Sequence, residues 1–123
     1  MESMESLEQA ARFVEKKLVE STRYERPKRL DWRIGCIGAG FIMADCHLVS
    51  YRNAGFNPVA IASRTAAHAK AVAERHGIPA VYDGWRELLA DSSIEILDVA
   101  FPPDQQLEIV REACKQPNIR GIL

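Results

Sequence analysis

Cysteine is scarce and poorly spaced for chemistry. Cys36, Cys46 and Cys114 are scattered over 123 positions, odd in number and without a Cys-x-x-Cys pair. That argues against a disulfide framework or a zinc cluster, and reads as three reduced, packing thiols in a cytoplasmic protein with no metal site. Long apolar runs are missing, and none approaches the roughly 18–20 residues that span a bilayer. An excess of one charge is missing too. A formal net charge of −1 gives no field to draw nucleic acid or an anionic membrane, so neither is expected as a partner. The start, Met1-Glu2-Ser3-Met4-Glu5-Ser6, has neither the basic residues nor the apolar stretch of a signal peptide. Low-complexity tracts are absent, and 123 residues fit one domain.

What is present is an alternation of apolar strands and helices. Residues 1–31 stand apart from it. Leu7, Ala11, Val14 and Leu18 form one stripe of a helix over Ser6–Glu20, with Ser6 and Gln9 as a capping box. This helix is expected to dock on its own domain, a dimerisation arm being the sharper alternative. Ser21 to Asp31 reads as a polar linker. Its basic residues Arg23, Arg26, Lys28 and Arg29, with Arg33, are interrupted by Glu25 and Asp31, which suits a solvated segment better than a nucleic-acid patch.

From residue 32 to 123 the spacing predicts strands at Ile34–Ile37, Pro58–Ala62, Ala80–Tyr82 and Ile94–Phe101, and a fifth opening at Gly121. Helices are expected at Ile42–Asn53, Ala66–His76, Gly84–Ala90 and from Asp104 to about Lys115. Gly77 is placed as a left-handed C-cap. Such alternation argues for a parallel sheet covered on both faces, a Rossmann-type doubly wound α/β fold of order 3-2-1-4-5 with an N-terminal helical extension. The chain ends inside an apolar strand at Leu123, and the expectation is a fragment, incomplete at its C-terminus.

The run Trp32-Arg33-Ile34-Gly35-Cys36-Ile37-Gly38-Ala39-Gly40-Phe41-Ile42-Met43 carries the most chemistry. It reads as a buried strand turning on glycines into a helix. Gly38 makes the tight turn, and Gly40 lets backbone approach a dinucleotide pyrophosphate. Amides near Phe41 and Ile42 point at the anion from the helix start. Met43 replaces the third glycine of the usual pattern, whose place serves close helix–strand packing, and so weakens the match. Ser63-Arg64 closes the second strand, where NAD sites usually carry an acid for the ribose 2′-hydroxyl. A serine and a guanidinium suit a 2′-phosphate better, so NADP is favoured over NAD. The bland alternative is a turn serine beside a solvated arginine.

Phe101-Pro102-Pro103-Asp104 follows the fourth strand and is expected to flank the nicotinamide, beyond the strand ends. His47, His68 and His76 share no metal spacing with a cysteine or carboxylate, and each is read as structural, His76 through the helix dipole. Asp98 lies in an interior strand, either buried and functional or hydrated at a strand end.

Taken together, Ile34 to Ile42, His47, Ala62-Ser63-Arg64, Tyr82 to Leu89 and Phe101-Pro102-Pro103-Asp104 resemble the Gfo/Idh/MocA family, the glucose–fructose oxidoreductase and inositol dehydrogenase relatives. The resemblance covers about residues 32–123. It implies the dinucleotide-binding domain of an NAD(P)-dependent oxidoreductase that transfers hydride to or from a sugar, cyclitol or related alcohol. Gly38, Gly40, Phe41 and Ile42 would contact pyrophosphate, Ser63 and Arg64 the adenosine end, and Ala100, Pro102 and Pro103 the nicotinamide side. Gln106 falls where many relatives carry histidine. The family's catalytic lysine would follow the fifth strand, so no catalytic residue is expected in this chain. The substrate domain, which often builds a homo-oligomer, is expected in the full-length protein, as is the small-molecule substrate. Two rivals remain. One is a non-catalytic NAD(P) sensor or scaffold on the same fold. The other is an adenosylmethionine-dependent methyltransferase, which usually wants the acid that Ser63-Arg64 does not supply.

Overall fold

The structure is a computed structural model that describes residues 3–23 and 25–123. The readings that fall on Met1, Glu2 and Tyr24 lie outside the described residues. Five parallel strands form one sheet of order β3-β2-β1-β4-β5, as the alternation predicts. They are β1 Arg33–Ile37, β2 Asn57–Ala62, β3 Ala80–Tyr82, β4 Ile96–Val99 and β5 Gly121–Ile122. The helices are α1 Met4–Ser21, α2 Leu48–Ala54, α3 Ala66–His76, α4 Trp85–Leu89 and α5 Pro103–Cys114, and a π-helical turn, Ile42–His47, leads into α2. Among the described residues, no helix is long and apolar enough to cross a membrane.

The sheet is buried on both faces because side chains alternate along each strand. Ile34 and Cys36 of β1 point with Ile61 toward Met43, Leu48, Ala69 and Val72, under α2 and α3. Ile37 points with Ala60, Ala62 and Leu97 toward Leu88, Ile94 and Ile109, under α4 and α5. Each fully buried Ile or Leu contributes on the order of 1.5–3 kcal/mol. The two layers hold β1 in the centre, hydrogen-bonded to β2 on one side and β4 on the other. At its carboxyl end the Gly38 amide donates to the Ala62 carbonyl at 2.8 Å, and the Ala100 amide donates to Ile37 at 2.8 Å. Three strand ends are thereby tied at one place.

Three expectations change. β4 is shorter than Ile94–Phe101; Ile94 and Phe101 are buried as core plugs beyond its ends. The helix after β1 is not α-helical throughout. Its first part is the π turn, where the Leu48 amide reaches back five residues to Met43. Met43, in the place of the third glycine, is fully buried there, its flexible thioether filling the core. The third change is α1. It starts earlier than Ser6: Ser3 is its N-cap, and its hydroxyl accepts the Ser6 amide at 3.3 Å. It also buries none of its residues, contrary to the expected docking. Both sheet faces already carry their own crossover helices. The linker is pinned at its end. Arg29 donates to both carboxylate oxygens of Glu95, at 2.9 and 3.0 Å, and lies 3.7 Å from the Trp32 ring centroid.

Candidate cofactor site

A cleft of about 440 Å³ opens beyond the carboxyl ends of β1, β2 and β4. It lies where the strand order reverses, the place at which doubly wound sheets bind ligands. Gly38, Ala39, Gly40, Ser63, Arg64, Thr65, His68, Ala100, Phe101 and Pro102 line it. The structure thus brings together Gly38, Gly40, Ser63, Arg64, Ala100 and Pro102 of the residues singled out in the sequence. Phe41 sits on the adjoining surface with Gly40 and His68. Ile42 is half exposed at the π turn, and Pro103 begins α5 behind the cleft; neither lines it.

The glycines differ in kind. Gly38 has φ +115°, and a Cβ there would stand 2.4 Å from the Ala100 carbonyl oxygen. Gly40 has nothing within 4 Å of where its Cβ would be. Gly38 is therefore needed by the fold, whereas the space at Gly40 is open to a ligand. The helical ladder opens with the Ala44 amide donating to Gly40 at 2.8 Å. The amides of Phe41, Ile42 and Met43 come before it, the usual donors to an anion at a helix start. An open glycine and leading amides at the cleft fit a dinucleotide pyrophosphate.

At the β2 end the Ser63 hydroxyl is engaged locally. It donates to the Thr65 carbonyl at 2.6 Å and accepts the Thr65 amide at 3.2 Å. Ser63 shapes the turn, and Arg64 is its exposed charge. The Arg64 guanidinium stands 5.9 Å from the Phe101 ring centroid, so the two walls meet. The Phe101 loop is held by Gln106, whose side-chain amide donates to the Phe101 carbonyl at 2.7 Å. Thr65 and His68 also line the cleft, and the sequence reading left both out of the site. His68 stands in the first turn of α3, on the cleft side.

The other two histidines are structural in different ways. His76 is nearly buried; its Nε2–H donates to the Ala44 carbonyl at 2.7 Å and its Nδ1 accepts from Arg52 at 3.2 Å. It clamps α3 to the π turn by hydrogen bonds, not by charge on the dipole. His47 Nδ1 lies 2.9 Å from Asp98, which is fully buried and also accepts from the Tyr51 hydroxyl at 2.5 Å. Burial, with the Asp98 carboxylate, pushes the Tyr51 phenol well up and keeps it a donor. Burial chiefly, and Asp98, push the Cys36 thiol up as well, so it stays a packing group. Cys46 is half-buried and Cys114 exposed, so the packing reading suits Cys36 best.

Residues 32–117 match the family described as oxidoreductases with an NAD-binding Rossmann fold. The chain belongs to the Gfo/Idh/MocA family. Several solved structures resemble it. An oxidoreductase from Thermotoga maritima is 29% identical with a TM-score of 0.69, over 74% of this chain and 28% of that one. A levoglucosan dehydrogenase, solved with NADH and levoglucosan, is 26% identical with a TM-score of 0.64, over 70% and 25%. A variant 3-ketoreductase from Actinomadura kijaniata, solved with TDP-benzene and NADP, is 26% identical with a TM-score of 0.67, over 74% and 28%. Among curated proteins no match was found. The chain thus spans about a quarter of the length of these Gfo/Idh/MocA structures.

Proposed function

We propose that this chain is the cofactor-binding part of an oxidoreductase that moves hydride between NAD(P) and a sugar, cyclitol or related alcohol, and that it prefers NADP. The observation that carries the cofactor reading is the open space at Gly40 beside the leading amides of Phe41 and Ile42. Gly38 and Gly40 shape the pyrophosphate seat. Arg64 faces the adenosine end, where no carboxylate stands at positions 62–64 to hold a 2′-hydroxyl; its planar, permanently charged fork suits a 2′-phosphate. Ser63 orients that turn through Thr65. Ala100 and Pro102 form the side toward the nicotinamide, with Pro103 behind them at the start of α5, on a loop that Gln106 steadies. The cofactor, when bound, supplies the hydride chemistry; the residues here bind and orient it. The small-molecule substrate belongs to the full-length protein. The solved relatives divide between NADH and NADP, and the preference here rests on Arg64.

The test is calorimetric titration of Arg64→Ala and the unaltered chain with NADP⁺ and NAD⁺. NADP⁺ binding should weaken by about 1–3 kcal/mol, the scale of a lost charge-assisted hydrogen bond, and NAD⁺ binding far less. Equal losses for both would remove the 2′-phosphate role.

A further inference from the structure

We propose that His68 is a second determinant of the choice between NADP and NAD, a protonated imidazole that joins Arg64 on the 2′-phosphate and makes the preference for NADP grow as pH falls. This rests on the reading of the cleft as a dinucleotide seat. A phosphate monoester presents three strong acceptor oxygens. Arg64 can serve two of them through its fork. The Ser63 hydroxyl is already committed, because its proton goes to the Thr65 carbonyl at 2.6 Å. Of the remaining residues that line the cleft, only Thr65 and His68 carry a side-chain donor. Only His68 can bring a charge.

The fold turns His68 to that place and leaves its ring uncommitted. Ala69, Val72 and Ala73 are buried against the sheet and fix the rotation of α3. His68 is exposed in the first turn, on the wall that the cleft shares with the surface beside Gly40 and Phe41. The histidine-ring hydrogen bonds among the described residues are those of His47 and His76; the His68 ring is in none of them. The charged groups around it are few. Arg64 lies beside it in the turn after β2 and Asp45 in the π turn, and Asp45 is already paired with Arg75 at 2.6 Å. The loop after β4 brings Ala100, Phe101 and Pro102 and no charge. Imidazole is the side chain that changes charge between about pH 5 and 8, and an adjoining phosphate dianion favours its charged form. NADP⁺ binding should therefore take up protons. NAD⁺, with a hydroxyl at that place, should not. Linkage then makes NADP⁺ affinity rise as pH falls.

The experiment is calorimetric titration of the full chain, His68→Gln, His68→Lys and Arg64→Ala with NADP⁺ and NAD⁺ between about pH 8 and about pH 6, repeated in two buffers of different ionisation enthalpy. The unaltered chain should bind NADP⁺ about three- to fivefold more tightly at the lower pH, the scale of one exposed ion pair, with net proton uptake. A phosphate alone, whose second pKa is about 6, would release protons on joining a cation, so the sign assigns the group. His68→Gln should lose both the gain and the uptake at an unchanged Tm. His68→Lys should keep tight NADP⁺ binding at the higher pH and remove the uptake. An NADP⁺ preference that Arg64→Ala lowers, but whose pH profile His68→Gln leaves as it was, would overturn this proposal alone. So would a His68→Gln variant that weakens NADP⁺ and NAD⁺ equally. Binding of neither dinucleotide, or a preference indifferent to Arg64, would overturn the cofactor reading and this proposal with it.

Discussion

Gly38 and Gly40 stand two residues apart in one turn, yet their substitution should have opposite signatures. At Gly38 an alanine meets both a left-handed backbone and the Ala100 carbonyl. Gly38→Ala should cost at least about 1–3 kcal/mol of stability, read as a lowered Tm. At Gly40 an alanine meets open space, so Tm should move by no more than about 0.5 kcal/mol equivalent while dinucleotide affinity falls. A thermal melt and a titration on each variant separate the two roles. Asp91 supplies a pH-dependent test. It accepts from the Ser93 hydroxyl at 2.6 Å, the Ser93 amide at 2.9 Å and the Tyr82 hydroxyl at 2.6 Å. The Ser93 hydroxyl first, then Tyr82, hold its carboxyl below the usual range. A lowered folded-state pKa means the stabilisation is complete above the unfolded value, about 3.9, and fades as pH falls through the folded one. Asp91→Ala should thus cost about 1 kcal/mol at neutral pH, allowing for solvent screening, and the gap should close in acid. A gap that persists unchanged at low pH would contradict it.

At the scale of elements, the π turn joins the glycine motif to the core. Two buried polar groups hold it. His76 grips the Ala44 carbonyl from α3, and Asp98 on β4 takes His47 and Tyr51. Tyr51→Phe should cost about 1.5–3 kcal/mol, because a buried carboxylate loses a donor. Chemical denaturation measures it; an unchanged midpoint would show the hydroxyl to be idle. Little of this was legible beforehand. A carboxylate inside the apolar run Ile96-Leu97-Asp98-Val99 was a signal, but its partners lie about fifty positions earlier, and only the fold brings them near. The π turn leaves no period of its own in the sequence. Ser3 rather than Ser6 caps α1 because both serines suit a cap and stand three apart. By contrast α3 and β3 match their expected limits, since Gly77 and the following Ile78-Pro79 punctuate the chain locally.

At the scale of the molecule, the sheet order follows from few constraints. Apolar strands alternating with helices require parallel strands, and crossover handedness then leaves few topologies. The cleft follows from that order, which is why the sequence alone groups Gly38, Gly40, Ser63, Arg64, Ala100 and Pro102. His68 is not among them, because its approach depends on how α3 is rotated over β2. The N-terminal helix was legible as a helix but not in its placement, because a helical period is local and what it packs against is not. The proposed role puts a dinucleotide pyrophosphate at the glycine turn and its 2′ end at Arg64. Calorimetric titration of the chain and its Gly40→Ala variant with NADP⁺ and NAD⁺ reads both contacts at once. NADP⁺ should bind more tightly than NAD⁺, and both should bind more weakly to the variant at an unchanged Tm. A folded chain that binds neither dinucleotide, or binds both equally well with and without Gly40, would contradict that role.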